Sequence, residues 1–372
     1  MNEISIIGGG IGGLTLGNIL KQQNIDFTLY ESAAEIKPVG SGIMMAINAM
    51  QIFDRLGLKE KIEQAGNKIH GISITDEKLK RISKTNVLEL EKKYNSCNVA
   101  IHRADLQKIL AENIGYETIQ LNHALNKIQK KENYILHFEN GTETESKIVF
   151  GADGIHSKVR NQIFGTGTIR NTQQLCWRGL AEFDLPENFH HEAIEAWGKG
   201  KRFGFVKMTD RKIYWYAVIN KNIHQTENQL AENFYGFHPL ILEIMEKTFQ
   251  ENIIFNEIID LAPIPKWHTN HLCLIGDAAH ATTPNLGQGA CQSIEDAYII
   301  GKLLENNQNF NEVFENFQKI RRKKVDYVVD TSWKIGQVSQ WERGTFVRNF
   351  MFRLVPESFN QKLVEKTIRL EM

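Results

Sequence analysis

The sequence predicts an α/β (α+β) chain in which a parallel-sheet domain carries an inserted, mainly antiparallel sheet and is followed by C-terminal helices. Its N-terminus alternates strand, glycine turn, helix and strand over about 30 residues, which is typical of a β-α-β unit. The middle of the chain is rich in aromatic and β-branched residues between turn residues, which favours antiparallel strands. From Gln288 onward, apolar residues recur at helical spacing almost to the end.

Apolar runs and their periods predict the elements of the first half of the chain. Two strands, residues 3–8 and 26–31, flank a helix at residues 11–21, and another helix is predicted at residues 104–113. Asn140-Gly141 is a strong hairpin signal between two more predicted strands, residues 134–139 and 147–152.

The inserted sheet is predicted from four successive strands at residues 174–184, 192–197, 203–208 and 213–219. In the last of these strands, alternation puts Tyr214 and Tyr216 on one face and Trp215 on the other. A buried strand of the parallel type, at residues 272–275, then returns the chain to the first sheet.

The composition is that of a globular protein, and it excludes several classes. The chain has 372 residues, enough for two domains, of which 42% are hydrophobic and 24% charged. Lys+Arg and Asp+Glu both number 44, so no net field attracts nucleic acid. No window is apolar enough to predict a transmembrane segment. The N-terminus enters a strand without a basic leader, so a cytoplasmic protein is expected.

Neither the cysteines nor the one basic cluster predicts a special site. The cysteine spacing predicts no metal site and no disulfide framework, and it fits a reducing compartment. These cysteines are Cys97, Cys176, Cys273 and Cys291. The basic run Arg321-Arg322-Lys323-Lys324 is interpreted as the solvated face of a helix, with a phosphate or lipid patch as the alternative.

The first motif is a glycine fingerprint, G-x-G-x-x-G, formed by Gly8, Gly10 and Gly13 with Ile11 and Gly12 between them. It ends a predicted strand and opens a predicted helix, the context in which such a loop binds a pyrophosphate. The first glycine permits the tight turn, the second lets the backbone approach the anion, and the third lets the helix lie close to the strand. The N–H groups at the helix start then bind the anion.

Glu31 ends the second predicted strand, 18 residues after Gly13. A carboxylate at this place accepts hydrogen bonds from a ribose 2′-OH and repels a 2′-phosphate, which argues against NADP as the ligand of this site. The fingerprint alone leaves FAD and NAD open.

Two further motifs follow apolar strands: residues 151–160, which contain Asp153-Gly154 and Arg160, and Gly276-Asp277, followed by Pro284 and Gly287-Gln288-Gly289. With these three motifs in order, over roughly residues 1–330, the chain resembles the single-component FAD-dependent aromatic hydroxylases and monooxygenases. Relatives of this para-hydroxybenzoate-hydroxylase-like family include salicylate and urate hydroxylases, zeaxanthin epoxidase and tetracycline monooxygenases.

The resemblance implies roles for the third motif. It implies that Asp277 bonds the ribityl chain of FAD and that residues 284–289 run beside the isoalloxazine ring. The backbone N–H groups of Gln288 and Gly289 would then stabilise negative charge on the reduced ring, and Gly287 and Gly289 would keep side chains away from it.

Three more cofactor contacts are implied by the resemblance. Arg103 would reach the FAD, and Asp153 would serve both the cofactor and a transient nicotinamide. Gly42 belongs to a small-residue loop, Gly40-Ser41-Gly42-Ile43, beside the flavin, although Ile47 stands where the family often has proline. The alternatives are a surface arginine at a helix start for Arg103 and a turn-forming Asp-Gly for Asp153.

The implied chemistry is that of an FAD-dependent monooxygenase. The sequence has no second G-x-G-x-x-G, so NAD(P)H is expected as a transient co-substrate that reduces the flavin. Molecular oxygen would form a flavin C4a-hydroperoxide, which hydroxylates or epoxidises a small aromatic or conjugated substrate. Two alternatives stay open: an FAD-dependent reductase or dehydrogenase of a lipid or polyene, and a flavin-binding protein without catalysis.

Arg202 and Tyr214 are the candidate catalytic residues, because a guanidinium and a phenol from the antiparallel sheet could orient a phenolate or enolate and help to deprotonate it. Their spacing resembles a substrate-binding pair of urate hydroxylases. The alternatives are a structural ion pair for Arg202 and sheet packing for Tyr214. His280 is interpreted as a structural histidine.

The domain organisation follows from the order of the motifs. We expect the FAD-binding domain at residues 1–69, 98–165 and 268–325, the substrate domain at residues 70–97 and 166–267, and a C-terminal helical segment at residues 326–372.

An apolar stripe lies in the C-terminal segment: Phe346, Val347, Phe350, Met351, Leu354 and Val355. It is expected to pack on the FAD domain, with a membrane or a partner chain as the alternatives. A monomer or a homodimer is expected.

Overall fold

The computed structural model describes residues 2–36, 41–224, 230–307 and 309–371. In chain order its strands are β1 (Asn2–Ile7), β2 (Thr28–Tyr30), β3 (Gly42–Met45), β4 (Asn67–Ile69), β5 (Gly71–Asp76), β6 (Arg81–Asn86), β7 (Asn98–His102), β8 (Ile119–Gln120), β9 (Leu125–Lys130), β10 (Tyr134–Phe138), β11 (Glu143–Gly151), β12 (Ile169–Glu182), β13 (Glu192–Trp197), β14 (Lys201–Lys207), β15 (Lys212–Asn220), β16 (Ile254–Leu261) and β17 (Leu272–Leu274).

The α-helices are α1 (Ile11–Gln22), α2 (Ile47–Arg55), α3 (Lys59–Ala65), α4 (Leu88–Tyr94), α5 (Arg103–Ile114), α6 (Lys158–Phe164), α7 (Pro239–Glu246), α8 (Asp277–His280), α9 (Gly289–Leu304), α10 (Phe310–Ser339), α11 (Thr345–Leu354) and α12 (Glu357–Ile368). The predicted helices at both ends of the chain and the predicted hairpin at Asn140-Gly141 are confirmed. In the described residues, no helix is both long enough and apolar enough to cross a membrane.

The first sheet brings the sequence motifs to one edge. Its order is β8-β2-β1-β11-β10-β9, with β17 beside β11, and β8, β2, β1, β11 and β17 run parallel. Ile7 pairs with Gly151, and Gly151 pairs with Leu274. The three motifs therefore leave the sheet side by side at the carboxyl ends of its strands, where α/β sheets bind ligands.

Helices α1 and α9 pack close to each other at this edge of the sheet, because small residues line the contact between them. A Cβ added at Gly13 would lie 2.0 Å from the carbonyl oxygen of Gly8, and one added at Gly12 would lie 3.0 Å from the Cβ of Ser293. Neither position has room for a side chain, so these glycines fix the distance between the first strand, α1 and α9.

The second sheet, of order β16-β12-β15-β14-β13-β5-β6, is antiparallel except where β13 pairs with β5. The four strands predicted for it are confirmed, and residues 192–197 match β13 at both ends. Strands β5, β6 and β16 were not predicted. The predicted alternation is confirmed: Trp215 stacks on Phe203 in the core under α7, whereas Tyr214 and Tyr216 share the opposite face.

A third, small sheet, β3-β7-β4, joins the two larger ones, and the C-terminal helices pack around them. Two expectations about the C-terminal part are wrong. Half of the basic run on α10 is buried, since Arg321 and Lys324 are 0% and 6% exposed. Most of the apolar stripe on α11 is exposed instead of packed on the first domain, with Phe346 at 78% and Leu354 at 65%.

Candidate active site

The glycine loop forms one end of an open cleft. Gly8 has φ +112°, and a Cβ there would lie 2.4 Å from the carbonyl oxygen of Ala152, so only glycine fits this turn. At Gly10, by contrast, an added Cβ would have no atom within 4 Å, because the backbone faces a cavity of about 380 Å³. This arrangement fits a pyrophosphate lying against bare backbone at the start of α1.

Glu31 lines the same cavity at the end of β2. Its carboxylate is held by two backbone donors, Gly9 N at 2.6 Å and Ala33 N at 2.8 Å. A carboxylate has lone pairs for about four hydrogen bonds, so Glu31 keeps acceptor capacity for ribose hydroxyls while its orientation is fixed.

Asp153 lines the cavity from the end of β11. Its Oδ2 accepts a hydrogen bond from Val159 N at 3.1 Å, while its buried Oδ1 has no hydrogen-bond partner in the described part of the chain. Burial raises the pKa of this carboxyl above its ordinary value. Gly154 beside it has φ +77° and nothing within 4 Å of an added Cβ. An unpaired buried oxygen next to open space fits a ligand hydroxyl.

Arg160 connects the second motif to the third. It is 1% exposed, and its guanidinium donates to the carbonyl oxygens of Ile155 at 2.6 Å and Ala278 at 3.0 Å. The side chain therefore links the turn after β11 to helix α8. Its place in the motif was recognised in the sequence, but this role was not.

Asp277 stands where β17 turns into α8. Gly276 before it has φ +58°, and an added Cβ would lie 2.5 Å from Ser293 Oγ, so the turn requires glycine. The Asp277 side chain is open to the cleft, and a Cβ on Gly289 would be 4.0 Å from its Oδ1. Desolvation raises the pKa of Asp277, and the nearby His280 and Arg103 oppose that rise.

The loop between α8 and α9 presents backbone to the cleft. Pro284–Leu286 form a 3-10 turn, and Gly287 follows in the left-handed region with φ +62°. The Gln288 side chain is directed into the protein, where its Oε1 accepts hydrogen bonds from Asn48 at 3.1 Å and Gln292 at 2.9 Å. The N–H groups of the first turn of α9 have no acceptor within the helix, so they form a positive end at this loop.

Behind this loop lies a buried charge cluster that the sequence analysis missed: Glu295, Asp296, Arg321, Lys324 and His280. Arg321 bonds Asp296 and Glu295 at 2.8 Å each, and Lys324 bonds both oxygens of Glu295 at 2.7 Å. We call these residues the buried charge cluster. The available signal was a pair of adjacent acids on α9 together with two cations three residues apart on α10.

Asp296 ties the buried charge cluster to the third motif. Its Oδ2 accepts hydrogen bonds from Gly276 N at 2.9 Å and is 2.6 Å from His280 Nε2. Burial alone would raise the pKa of Asp296, but His280 and Arg321 hold it below its ordinary value. The ionised carboxylate thus fixes the turn that carries Asp277, and His280 has the structural role expected for it.

Arg103 and Gly42 meet at the far side of the cleft. Arg103 opens α5, its N donates to the Ser41 carbonyl at 3.2 Å, and its side chain is exposed. The same helix reaches the glycine loop, where Gln107 donates to the Gly9 carbonyl at 3.3 Å. A Cβ on Gly42 would lie 2.4 Å from Tyr214, so this glycine lets β3 pass under that ring. Gly40 lies outside the described residues.

The two candidate catalytic residues lie on one face of the second sheet but do not meet. Arg202 pairs with Val218 and Tyr214 with Val206, and on the face they share one cross-strand pair, Gly204 with Tyr216, lies between them. Burial raises the pKa of Tyr214 to about 12, although nearby Arg178 opposes the rise.

Arg202 is 1% exposed, and its two terminal guanidinium nitrogens donate to protein groups, whereas its buried Nε has no hydrogen-bond partner in the described residues. It bonds Ser339 Oγ at 3.1 Å, Glu195 at 3.5 Å and the Asn285 side chain. Because Asn285 belongs to the 3-10 turn at Pro284–Leu286, Arg202 connects the second sheet to the loop that lines the cleft.

Comparison with known proteins agrees with this geometry. The family model described as an FAD binding domain matches residues 1–332. The chain is 32% identical to an aurachin C monooxygenase/isomerase of Stigmatella aurantiaca, over 95% of this chain and 94% of that protein. It is 29% identical to a 2-heptyl-3-hydroxy-4(1H)-quinolone synthase of Pseudomonas aeruginosa, over 98% of this chain and 97% of that protein.

The fold is also that of a solved flavoprotein. Klebsiella pneumoniae HpxO, crystallised with FAD and uric acid, superposes with a TM-score of 0.90 at 23% identity, covering 98% of this chain and 96% of that one. The matched family model spans all three motifs and the cleft they line. The chain therefore belongs to the FAD binding domain family and, within it, to the FAD-dependent aromatic monooxygenases.

Proposed function

We propose that this protein uses NAD(P)H and molecular oxygen to hydroxylate or epoxidise a small aromatic or conjugated substrate. The observation that carries the proposal is the convergence of three motifs on one cleft, beside a sheet face bearing Tyr214 and Tyr216. At one end of this cleft, backbone without side chains suits the pyrophosphate of a long cofactor. Near the other end, the protonated phenol of Tyr214 suits an aromatic substrate that carries an oxygen.

The residues proposed to bind FAD share a position on the cleft or on the loops beside it. They are Gly8, Gly10, Ile11, Gly12, Gly13, Glu31, Gly42, Arg103, Asp153, Asp277, Pro284, Gly287, Gln288 and Gly289. Bound FAD would supply the redox chemistry and the activation of oxygen. The chain would hold the pyrophosphate at α1, the ribityl hydroxyls at Asp277, and negative charge on the ring at the start of α9.

Tyr214 is proposed to contact the substrate as a hydrogen-bond donor. A phenol whose pKa is about 12 stays protonated at neutral pH, so Tyr214 can donate to a substrate oxygen but does not remove its proton. Arg202 is proposed to act on the site through Asn285, because its guanidinium is buried against protein acceptors.

A nicotinamide cofactor is proposed to bind only transiently, since the sequence has one dinucleotide fingerprint and the FAD pyrophosphate would occupy it. We propose a cytoplasmic monomer or homodimer; the four cysteines are free thiols, which fits a reducing compartment.

The predicted domain division is proposed as well. It is supported by the sheets: all strands of the first and third sheets lie within residues 1–69, 98–165 and 268–325, whereas those of the second lie within residues 70–97 and 166–267.

The substrate class is narrowed by the relatives. The two relatives are named for aurachin C and for a hydroxylated quinolone that carries a heptyl chain. In this chain Tyr214 packs against an apolar cluster of Ile69, Ala100, Val206 and Met208, with Arg178 nearby. We therefore propose a heteroaromatic ring with an enol or phenol oxygen and an apolar substituent.

The test is turnover under isotope-labelled oxygen gas, with 2-alkyl-4(1H)-quinolones, simple phenols and urate as substrates. We expect substrate-stimulated NAD(P)H oxidation and one labelled oxygen atom in the product. A product that forms anaerobically and is reduced would instead identify a reductase of a lipid or polyene. Flavin that reoxidises in air with no response to any compound would refute catalysis.

A further inference from the structure

Helix α11 presents its apolar face to solvent. Its exposed side chains are Phe346, Val347, Phe350, Met351 and Leu354, of which Phe350 is 52% and Met351 57% exposed. These positions recur at helical spacing, so they form one continuous stripe along the helix. Large apolar patches on a protein surface are typical of sites that bind something.

The opposite face of α11 anchors the helix firmly. Arg348 is 1% exposed and donates to the carbonyl oxygens of Ser339 at 2.7 Å and Gly198 at 3.3 Å. Phe352 meets Trp197 edge to face at 4.9 Å between ring centroids. The stripe is therefore displayed by a helix that is held in place.

Helix α12 adds a second apolar and basic face at the same edge of the second sheet. Both helices contact β6, and α12 is tied to it by Asn360, which donates to Ser83 at 2.9 Å. Its exposed residues include Phe359 at 52% and Leu363 at 43%, with the exposed cations Lys362 and Lys366.

The charge of this surface has an excess of cations: Arg343, Arg353, Lys362 and Lys366 are exposed, against the exposed acids Glu342 and Glu357. Helix α11 contains no acid; of its two arginines, Arg348 is buried, and Arg353 is exposed with its Nη2 3.9 Å from Asp76 Oδ2. The acids nearby are held by protein donors: Glu342 by Asn220 at 2.8 Å, Glu357 by Asn86 N at 2.8 Å, and Glu365 by Lys93 and Tyr94. Lys362 and Arg343, by contrast, have no carboxylate within 4.0 Å in the described ranges.

We propose that the exposed faces of α11 and α12 dock on an anionic lipid surface. A helix with Phe, Leu and Met on one face and cations beside them lies in the plane of a membrane interface, its apolar side chains among the acyl chains and its cations near the headgroups. A second copy of this chain fits less well, because a two-fold interface would bring together two surfaces that both have an excess of cations. This docking is independent of the proposed function.

The test is flotation of the FAD-loaded protein with vesicles. We expect binding to mixed phosphatidylcholine–phosphatidylglycerol vesicles and weaker binding to pure phosphatidylcholine. Replacing Phe350 and Leu354 with Ser lowers partitioning about tenfold or more, because both lose apolar burial. Arg353→Gln with Lys362→Gln lowers it about fivefold per charge, on anionic vesicles only.

The matched control is Phe249→Ser, which removes an exposed ring (60%) outside α11 and α12 and leaves binding unchanged. Flavin absorbance of each variant reports that it is folded. Absence of vesicle binding by the parent protein refutes the proposal. So does a concentration-dependent dimer in sedimentation velocity that the Phe350→Ser, Leu354→Ser variant abolishes, since it identifies a second copy as the occupant.

Discussion

Replacing Arg321 with Met removes the centre of the buried charge cluster. The guanidinium bonds Asp296 and Glu295 at 2.8 Å each, and Gln292 through its carbonyl at 3.2 Å and its side chain at 2.7 Å. Without it, Lys324 and His280 are left to compensate two carboxylates that are 0% and 1% exposed. Breaking a buried ion pair from one side costs about 3–5 kcal/mol of unfolding free energy.

Urea unfolding of the FAD-loaded protein, followed by tryptophan fluorescence, measures this loss. The control is Lys323→Met, an exposed position in the same basic run, which should change stability by less than about 0.5 kcal/mol. FAD affinity should fall with Arg321→Met as well, because Asp296 holds Gly276 N and Gln292 holds the Gln288 side chain. Equal stability of the two variants would refute a stabilising role for the buried charge cluster.

Three further predictions follow from the cleft and the buried charge cluster. Gly10→Ala should fold normally, because the added methyl meets no protein atom, but its affinity for FAD in titrations should fall tenfold or more, because the methyl would project where the pyrophosphate binds. The control Gly236→Ala adds a methyl that is also unobstructed, and it should keep the parent's affinity for FAD. Tyr214→Phe should bind FAD normally, but its kcat/KM should be about tenfold to a hundredfold lower, because one hydrogen bond to a charged substrate oxygen is lost. An unchanged kcat/KM would exclude a contact between Tyr214 and the substrate. Because the pKa of Asp296 is lowered in the folded state, its contribution to stability is present above the unfolded pKa and is lost as the pH falls through the folded pKa. The free energy of unfolding of Asp296→Asn should therefore depend less on pH in the acid range than that of the parent protein.

The parts of the fold that the sequence predicted are those where the signal is local. Strand β13 was predicted to the residue because a short run with Ile194 and Trp197 is bounded by Pro186 and Asn188 on one side and by Gly198 on the other. Strand β6, by contrast, has one buried position in six residues and lies at the sheet edge, so it shows no alternation. It is a strand because β5 pairs with it, and pairing between segments cannot be read from one of them alone.

The site likewise contains residues that a local signal identifies and residues whose role depends on distant segments. Glycines at Gly8, Gly13 and Gly276 were identified because the backbone there tolerates no other residue, a requirement that leaves its mark at the position itself. The buried charge cluster was missed because the burial of Arg321 depends on acids that lie 25 and 26 residues away on another helix. Within its own segment Arg321 stands among cations, and such runs are ordinarily solvated.

The orientation of α11 departs furthest from the sequence-based expectation, and its cause lies in Arg348. Periodicity indicates that a helix has an apolar face, but it does not say what covers that face. Here the arginine occupies the interior, where two carbonyl groups accept its hydrogen bonds and its guanidinium lies 5.1 Å from the Trp197 ring centroid. Rolling the helix to bury Phe346 and Phe350 would take Arg348 from those acceptors and leave the carbonyl groups unpaired, at a cost of about 1–3 kcal/mol for each buried group. The buried arginine thus fixes the helix with its phenylalanines outward, so Arg348→Met should loosen α11 and weaken vesicle binding even though Arg348 itself faces away from the lipid.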